Sequence, residues 1–454
     1  MLKLYNTQTK KKEEFKPVKK SHTNIYQCGP TVYWYAHIGN LRGYIFGDVL
    51  RKTLRVLGYK DNYIMNITDV GHLVSDADEG EDKIEAAAKK EGKSAKDIST
   101  FYTKVFKEDL KLLHVDNPKK WVKATDHIKE QIDLIKKLET NGLTYIISDG
   151  VYFDTEKFPN YSWLLNVHSG EDTKGRIDKN KEKKHTNDFA LWKFSPKKGS
   201  RLQEWKSPWG VGFPGWHVEC SAMSLKYFGN PIDIHIGGVD HLAVHHPNEI
   251  AQSEGAGFKP FVNTWLHFEH VNLKDGRMAK SKGNIMRLAD LIEKKFDPLS
   301  YKYFVLGTHY RQSLNFSINA LGSSQSALFN LRAIAQTLPI KNKKNDSVLK
   351  PFYLALEDDI NTPKAIAVVW DILKSNKISE EEKRYVLEKV DEVFDIDINV
   401  VLKLPKKIKD KVEMRENARR EKKYSDSDAI RGELEIEGYT ISDTPSGPLI
   451  TKRG

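Results

Sequence analysis

The sequence predicts a parallel α/β domain, interrupted by an inserted antiparallel segment and followed by a mostly helical region. Three observations carry that expectation. Strand and helix patterns alternate through the first 150 residues, an Asp149-Gly150 hairpin signal breaks the alternation, and the chain from residue 286 to about residue 440 reads as mostly helical. The chain has 454 residues, or roughly three domains at about 150 residues each. That is enough to bury a sizeable core without disulfide staples.

The elements follow in order. Residues 24–28, Asn-Ile-Tyr-Gln-Cys, read as a short strand. A loop through Gly29-Pro30-Thr31 leads to His37-Ile38-Gly39-Asn40, and a helix then carries Leu41, Ile45, Phe46, Val49, Leu50 and Leu54 before stopping at Gly58. Residues 62–68 read as the next strand, which completes a parallel strand–helix–strand unit. An acidic loop at 75–82 precedes one long helical stretch with Ile84, Ala88, Ile98, Phe101, Val105 and Leu110. Asp126 is expected to cap a helix that Asn141-Gly142 closes. In the hairpin at 145–154, Asp149-Gly150 would supply the two positive-φ positions of a tight turn. The insertion is placed at 125–208, the α/β pattern resumes at Gly212, and strands follow at 231–236 and from residue 264. A small β-like tail occupies 438–452.

Composition excludes several classes. Hydrophobic residues make up 39% and charged residues 30%, as in a globular protein. Two cysteines, Cys28 and Cys220, are too few for a disulfide-built secreted scaffold. No apolar run reaches the roughly 18 residues of a membrane span, and the opening residues have no apolar signal-peptide core. A cytoplasmic, non-membrane protein is expected. The net charge of +11 fits a lysine-rich proteome as well as an anionic partner. Its distribution says more, because residues 174–206 carry a net +7 and residues 403–423 a net +6. Two separate basic tracts suit an extended polyanion better than a small acidic ligand.

Three groups of residues carry chemistry. His37-Ile38-Gly39-Asn40 sits where a strand turns into a helix, so backbone N–H groups and the helix dipole favour a phosphate there. An ordinary helix start reads the same way over four residues. The second group is Gly276-Arg277-Met278-Ala279-Lys280-Ser281-Lys282-Gly283-Asn284, glycine-flanked and cation-rich, as a mobile loop around a polyphosphate requires. The third joins Cys28, Cys220 in Gly215-Trp216-His217-Val218-Glu219-Cys220, and His245-His246-Pro247-Asn248-Glu249. Two thiolates, an imidazole and a carboxylate suit Zn²⁺, and His245 and Glu249, four apart, share a helix face. Two buried free thiols and a surface histidine pair fit the spacing equally well.

The first two groups occur in the order and spacing of the ATP-binding signatures of class I aminoacyl-tRNA synthetases, His-Ile-Gly-His and Lys-Met-Ser-Lys-Ser. Asn40, Arg277 and Ala279 depart from them, and Lys280 is intact. Together with residues 26–40, Asn66-Ile67-Thr68-Asp69, 215–223, 233–240, 245–249 and 278–284, the chain resembles the cysteinyl-tRNA synthetase family. The resemblance implies a Rossmann-type parallel-sheet catalytic domain in two halves, 1–124 and 209–290, around the insert 125–208. It also implies a helical stem-contact region at 291–345 and a helical, basic anticodon-binding region at 346–454.

The resemblance further implies a ligase that joins L-cysteine and ATP into cysteinyl-adenylate and passes cysteine to tRNA(Cys), acting as a monomer. One Zn²⁺ per chain would be held by Cys28, Cys220, His245 and Glu249, with His246 the competing histidine and His245 preferred by motif register. Mg²⁺ would accompany ATP. His37, Asn40 and Lys280 would be catalytic, and Gly39, Gly237, Gly238, Asp240 and Ser281 would join them around ATP. Thr31, Thr68, Asp69, Trp216 and His235 would bind substrate, with Thr68 and Asp69 near its ammonium. A ligase joining cysteine to an amino sugar would share the ATP motifs and the zinc without needing a tRNA-reading tail. A non-catalytic paralogue is the other rival, favoured only by the altered lysine loop.

Overall fold

The computed structural model describes residues 1–71, 82–159, 161, 180–197, 199, 201–273, 285–398 and 404–451, with the backbone alone at 276–277 and 452. The chain divides into two compact units. The first holds residues 1–290, 309–315 and 357–360, and the second holds 291–308, 316–356 and 361–454.

Five parallel strands form the centre of the first unit: β1 (His22–Gln27), β2 (Lys60–Ile67), β3 (Lys120–Lys123), β4 (Ile232–Gly238) and β5 (Val262–Phe268), in the spatial order β5-β4-β1-β2-β3. The order reverses between β1 and β4. In open parallel sheets that reversal leaves a crevice at the carboxyl ends of the strands, where ligands bind. Every residue of β4 is buried, as a central parallel strand requires. Its Asp233 is satisfied by the backbone N–H groups of Val18 at 2.6 Å and Asn24 at 2.7 Å.

Helix α1 (Ile38–Val56) starts at His37 through reciprocal bonds with Asn40 and ends just before Gly58, whose φ of 88° no β-carbon-bearing residue adopts easily. Its Arg42 is buried and donates to the carbonyls of Glu269, His270, His309 and Gln312 at 2.6–3.0 Å. Arg42→Met would leave those acceptors without a donor. It is expected to lower unfolding free energy in a urea melt by about 3 kcal/mol; a change under about 1 kcal/mol would show that water replaces the guanidinium at little cost.

Several local expectations are corrected. The predicted long helix is two, Lys83–Glu91 and Ala95–Leu112. Gly92 at φ 62° ends the first and a Ser94–Asp97 capping box starts the second. Asp126 caps nothing. It lies in the 3₁₀ turn Ala124–His127, and the following helix, Ile128–Thr140, has no side-chain cap.

The hairpin forms from Thr144–Ile147 and Gly150–Phe153, but Ile147 pairs with Gly150, so Ser148 and Asp149 make the turn. Neither Asp149 nor Gly150 has positive φ. Gly150 is needed for another reason, because a β-carbon there would collide with the Trp192 carbonyl oxygen. The hairpin belongs to a five-stranded antiparallel sheet with Phe189–Phe194, Gly210–Pro214 and Trp205–Ser207, in that order. Those three strands escaped the sequence reading because lysine clusters and glycines mask their short apolar runs.

The second unit is helical, with Pro298–Leu306, Ile318–Thr337, Asp346–Glu357, Thr362–Lys374, Glu380–Phe394, Lys406–Arg420 and Tyr424–Ile436. It ends in the antiparallel pair Tyr439–Thr444 and Gly447–Lys452, which packs on Ile318–Thr337.

Candidate functional site

The crevice at the sheet reversal opens into a cavity of about 450 Å³. Several chain segments meet there: the turn after β1, the turn after β2, the ends of β4 and β5, and the stretches that carry Trp216, Cys220 and His245. His37, Gly39 and Asn40 form one wall; Cys28, Thr31 and Thr68 form another; Trp216, Cys220, Gly238, Asp240 and His245 complete it.

The helix-start wall has a defined donor pattern. His37 Nδ1 accepts from Asn40 N–H at 3.2 Å, so the neutral ring carries its proton on Nε2. Asn40 Oδ1 accepts from His37 N–H at 3.1 Å, which leaves its Nδ2 as a donor. Asn40 in the last motif position therefore both caps the helix and keeps a hydrogen-bond donor at its amino end. Burial lowers the His37 pKa, so the ring is neutral at pH 7.

At the other end, one ligand atom from each of Cys28, Cys220, His245 and Glu249 lies within 4.8 Å of all the others, and all four residues are buried. Helix α2 (Trp216–Phe228) supplies Cys220, and helix α3 (His245–Gly255) supplies His245 and Glu249 from adjacent turns of one face. His245 Nε2 and Glu249 Oε1 are 2.9 Å apart without the alignment of a hydrogen bond. This donor set fits a metal that accepts sulfur, nitrogen and oxygen.

A second set, Cys28, His235, His246 and Glu249, also converges. Only the first set opens onto the cavity through three members, Cys28, Cys220 and His245; neither His235 nor His246 lines it. A metal that is to take a substrate atom needs that open side.

Outer contacts orient the cluster. His235 Nε2 lies 2.9 Å from Glu249 Oε2, His217 Nδ1 lies 2.7 Å from His245 Nδ1, and His246 Nδ1 lies 2.7 Å from His267 Nε2. Electrostatics follow. Burial would raise Glu249, but His235 and His245 hold it at about 2. Burial would lower His245, but Glu249 and Cys220 lift it to about 10. Cys28 as hydrogen-bond partner lowers Cys220 to about 7 against burial, while burial and Cys220 push the Cys28 thiol up. The site thus favours negative ligands at Cys220 and Glu249.

Some expected site residues lie elsewhere. Asp69 does not line the cavity; its carboxylate accepts from Thr125 N–H at 2.9 Å and Thr125 Oγ1–H at 2.7 Å. Gly237 lies beneath the wall, where a β-carbon would collide with the His246 ring. Lys280 and Ser281 fall outside the described residues. Sequence reasoning missed Asn66, His217, His267 and Lys83. The Lys83 ammonium lies over the rings of Tyr33 and Trp216 at the cavity edge, at 5.8 and 6.0 Å. Nothing in spacing marks these residues.

The basic tail is partly self-neutralised. Asp443 accepts from Arg415, Arg419 and Arg431 at 2.7 Å each, and Arg415 is fully buried. Lys406, Lys409, Arg420 and Lys422 are exposed and form no ion pair with another described residue. Among the described residues no helix is long and apolar enough to cross a membrane.

Comparison with known proteins places the chain. Residues 14–326 match the family model for the class I (C) tRNA synthetase catalytic domain, and residues 351–402 match the DALR domain. A protein of Treponema denticola named cysteine–tRNA ligase is 42% identical, over 97% of this chain and 98% of its own. Cysteine–tRNA ligase 1 of Burkholderia lata is 41% identical over 98% and 96%. Among solved structures, methionyl-tRNA synthetase of Mycobacterium tuberculosis bound by methionyl-adenylate superposes with a TM-score of 0.55 at 14% identity, covering 84% of this chain and 90% of that one. That likeness supports the fold.

Proposed function

This chain belongs to the cysteine–tRNA ligase family of class I tRNA synthetases, and from that premise we propose that it activates L-cysteine in the cavity described above and charges tRNA(Cys). The carrying observation is that one cavity joins a phosphate-type helix start to a Cys, Cys, His, Glu cluster. Amino-acid activation needs those two ends side by side.

In the first step the cysteine carboxylate attacks the α-phosphate of ATP and pyrophosphate leaves. In the second a ribose hydroxyl at the tRNA 3′ end attacks the adenylate carbonyl and AMP leaves. Charge builds on phosphate oxygens in the first step, so positioning and electrostatics do most of the work. His37 Nε2–H and Asn40 Nδ2–H are the donors on the helix-start wall, and Lys280 with Ser281 would add charge and a hydroxyl from the lysine loop. Gly39, Gly237, Gly238 and Asp240 would frame the nucleotide, and Mg²⁺ would accompany its phosphates. Thr31, Thr68 and Trp216 would wall the amino acid. Asp69 and His235 would act one layer out, Asp69 by fixing the turn after β2 and His235 by orienting Glu249.

Cys28, Cys220, His245 and Glu249 would hold Zn²⁺, which when bound accepts a thiolate and rejects the nearly isosteric hydroxyl of serine, a separation an apolar pocket achieves poorly.

We read 291–345 as the stem-contact region, 346–454 as the anticodon region, and the enzyme as a monomer. Deleting 403–454 would also uncover the helix Ile318–Thr337, so substitution is the cleaner test. Replacing Lys406, Lys409, Arg420 and Lys422 with alanine is expected to leave cysteine-dependent pyrophosphate exchange intact and to weaken tRNA charging. The salt dependence of tRNA binding should flatten by roughly 0.7–0.9 per lost phosphate contact. Unchanged charging would move tRNA recognition to the insert. Exchange without any tRNA charging, in the unaltered enzyme, would favour the amino-sugar ligase, and absence of exchange would favour the non-catalytic paralogue.

A further inference from the structure

We propose that Asn66 is a positioning residue for the substrate ammonium, bonding Gly29 and Thr68 at once and so fixing the Thr68 hydroxyl as an acceptor at a set distance from Cys28. The inference rests on the proposed place of the ammonium beside Thr68 and adds a residue to it.

Asn66 is the last residue but one of β2. It is 1% exposed, yet it reaches the cavity wall. Its Oδ1 lies 2.7 Å from Gly29 N, and only an acceptor can face a backbone N–H. The amide is therefore oriented, and Nδ2 is the group 3.0 Å from Thr68 Oγ1. Thr68 Oγ1 must accept that bond.

A hydroxyl has one hydrogen and two lone pairs. With one lone pair held by Asn66 Nδ2–H, the second is left for an ammonium, which is a donor only and requires an acceptor. Without Asn66 that donor no longer fixes the side from which the hydroxyl is bonded, and the hydroxyl loses its tie to the Cys28 strand end.

The tie also sets a length. Cys28 directly precedes Gly29, and a β-carbon on Gly29 would collide with the Asn66 carbonyl oxygen, so the two strand ends are in contact. Thr68 N–H to Pro30 O at 3.1 Å and Val32 N–H to Thr68 O at 3.2 Å close the same junction. The sulfur-binding and ammonium-binding ends of the pocket are thus held at one spacing.

The test uses pyrophosphate exchange by the full chain, with KM for cysteine, KM for ATP and metal content measured on each variant. Asn66→Asp keeps an acceptor for Gly29 N–H and removes the donor to Thr68. The expected result is a rise in cysteine KM of about tenfold, the value of one hydrogen bond to a charged group, with ATP KM and metal content unchanged. Thr68→Val should raise cysteine KM similarly, and the double variant should be no worse than Thr68→Val alone.

A cysteine KM that is unchanged or lowered in Asn66→Asp while Thr68→Val raises it overturns the role of Asn66 and leaves the pocket standing. An unchanged KM in Thr68→Val removes the ammonium assignment and the inference with it. Multiplying effects in the double variant also overturn it. If Asn66→Asp does not fold, Asn66→Ser takes its place, with the same selective rise expected and the same outcomes decisive.

Discussion

Cys220→Ser is expected to leave the protein without its metal. Purified unaltered protein should carry zinc close to one per chain, and the variant should lose more than about 100-fold in metal affinity, the upper range seen when even an outer partner of a metal ligand is removed. Serine keeps the volume of Cys220 but at neutral pH offers no anion, so only Cys28 and Glu249 would then face the cation as charged donors. Cysteine-dependent exchange should fall with the metal, because the substrate sulfur loses its anchor.

The two histidines separate the two convergent sets. His245→Ala should lose zinc and His246→Ala should keep it. A full complement of zinc in Cys220→Ser would remove the first set. The reverse behaviour of the histidine variants would transfer the metal to Cys28, His235, His246 and Glu249.

Lys280→Ala is expected to slow adenylate formation by roughly 100-fold or more, as loss of one preorganised charge donor does. Ala279→Ser should change the rate little. The described residues on either side of the lysine motif lie at the cavity. Val271, which precedes it, and Ile285, which follows it, both line the wall, and Met286 O accepts from Ile38 N–H at 2.9 Å, at the first residue of α1. Single-turnover formation of cysteinyl-adenylate measures the effect, and an unaltered rate would assign the charge to another residue.

Four of the five parallel strands were legible as short runs rich in apolar residues, the first two separated by the clear amphipathic helix α1; Lys120–Lys123, two apolar residues between lysines, was not. Cys28, Cys220, His245 and Glu249 were legible as a set only through the family resemblance; spacing alone, even with two cysteines in the chain, fits two buried free thiols equally well. The antiparallel insert was half legible. Tyr145-Ile146-Ile147 announces a strand by its β-branched and aromatic residues, whereas Phe189–Phe194 is hidden between lysines and pairs through a register that only the folded chain sets.

The turn misreading has a similar cause. Asp-Gly is a common tight turn, but here the glycine is required by a neighbouring strand and not by its own φ. Asn66, His217 and His267 act through individual hydrogen bonds, most of them to segments far away in the chain. Such ties leave no periodicity and no spacing, so no amount of pattern reading isolates them.

The reversed strand order has a consequence for biosynthesis. β1 is flanked by β2, made soon after it, and by β4, whose Asp233 meets Asn24 across 209 residues of chain. At about 5–20 residues per second of translation, one side of β1 waits roughly 10–40 s for its neighbour. Throughout that interval the nascent chain offers an unpaired, apolar strand edge, together with the Cys28 thiol at its end, to anything nearby. Contacts of such long range also slow folding once synthesis is complete. The architecture that makes the crevice therefore makes the emerging chain depend on chaperones, and folding yield in their absence should fall most steeply for chains halted between residues 123 and 232.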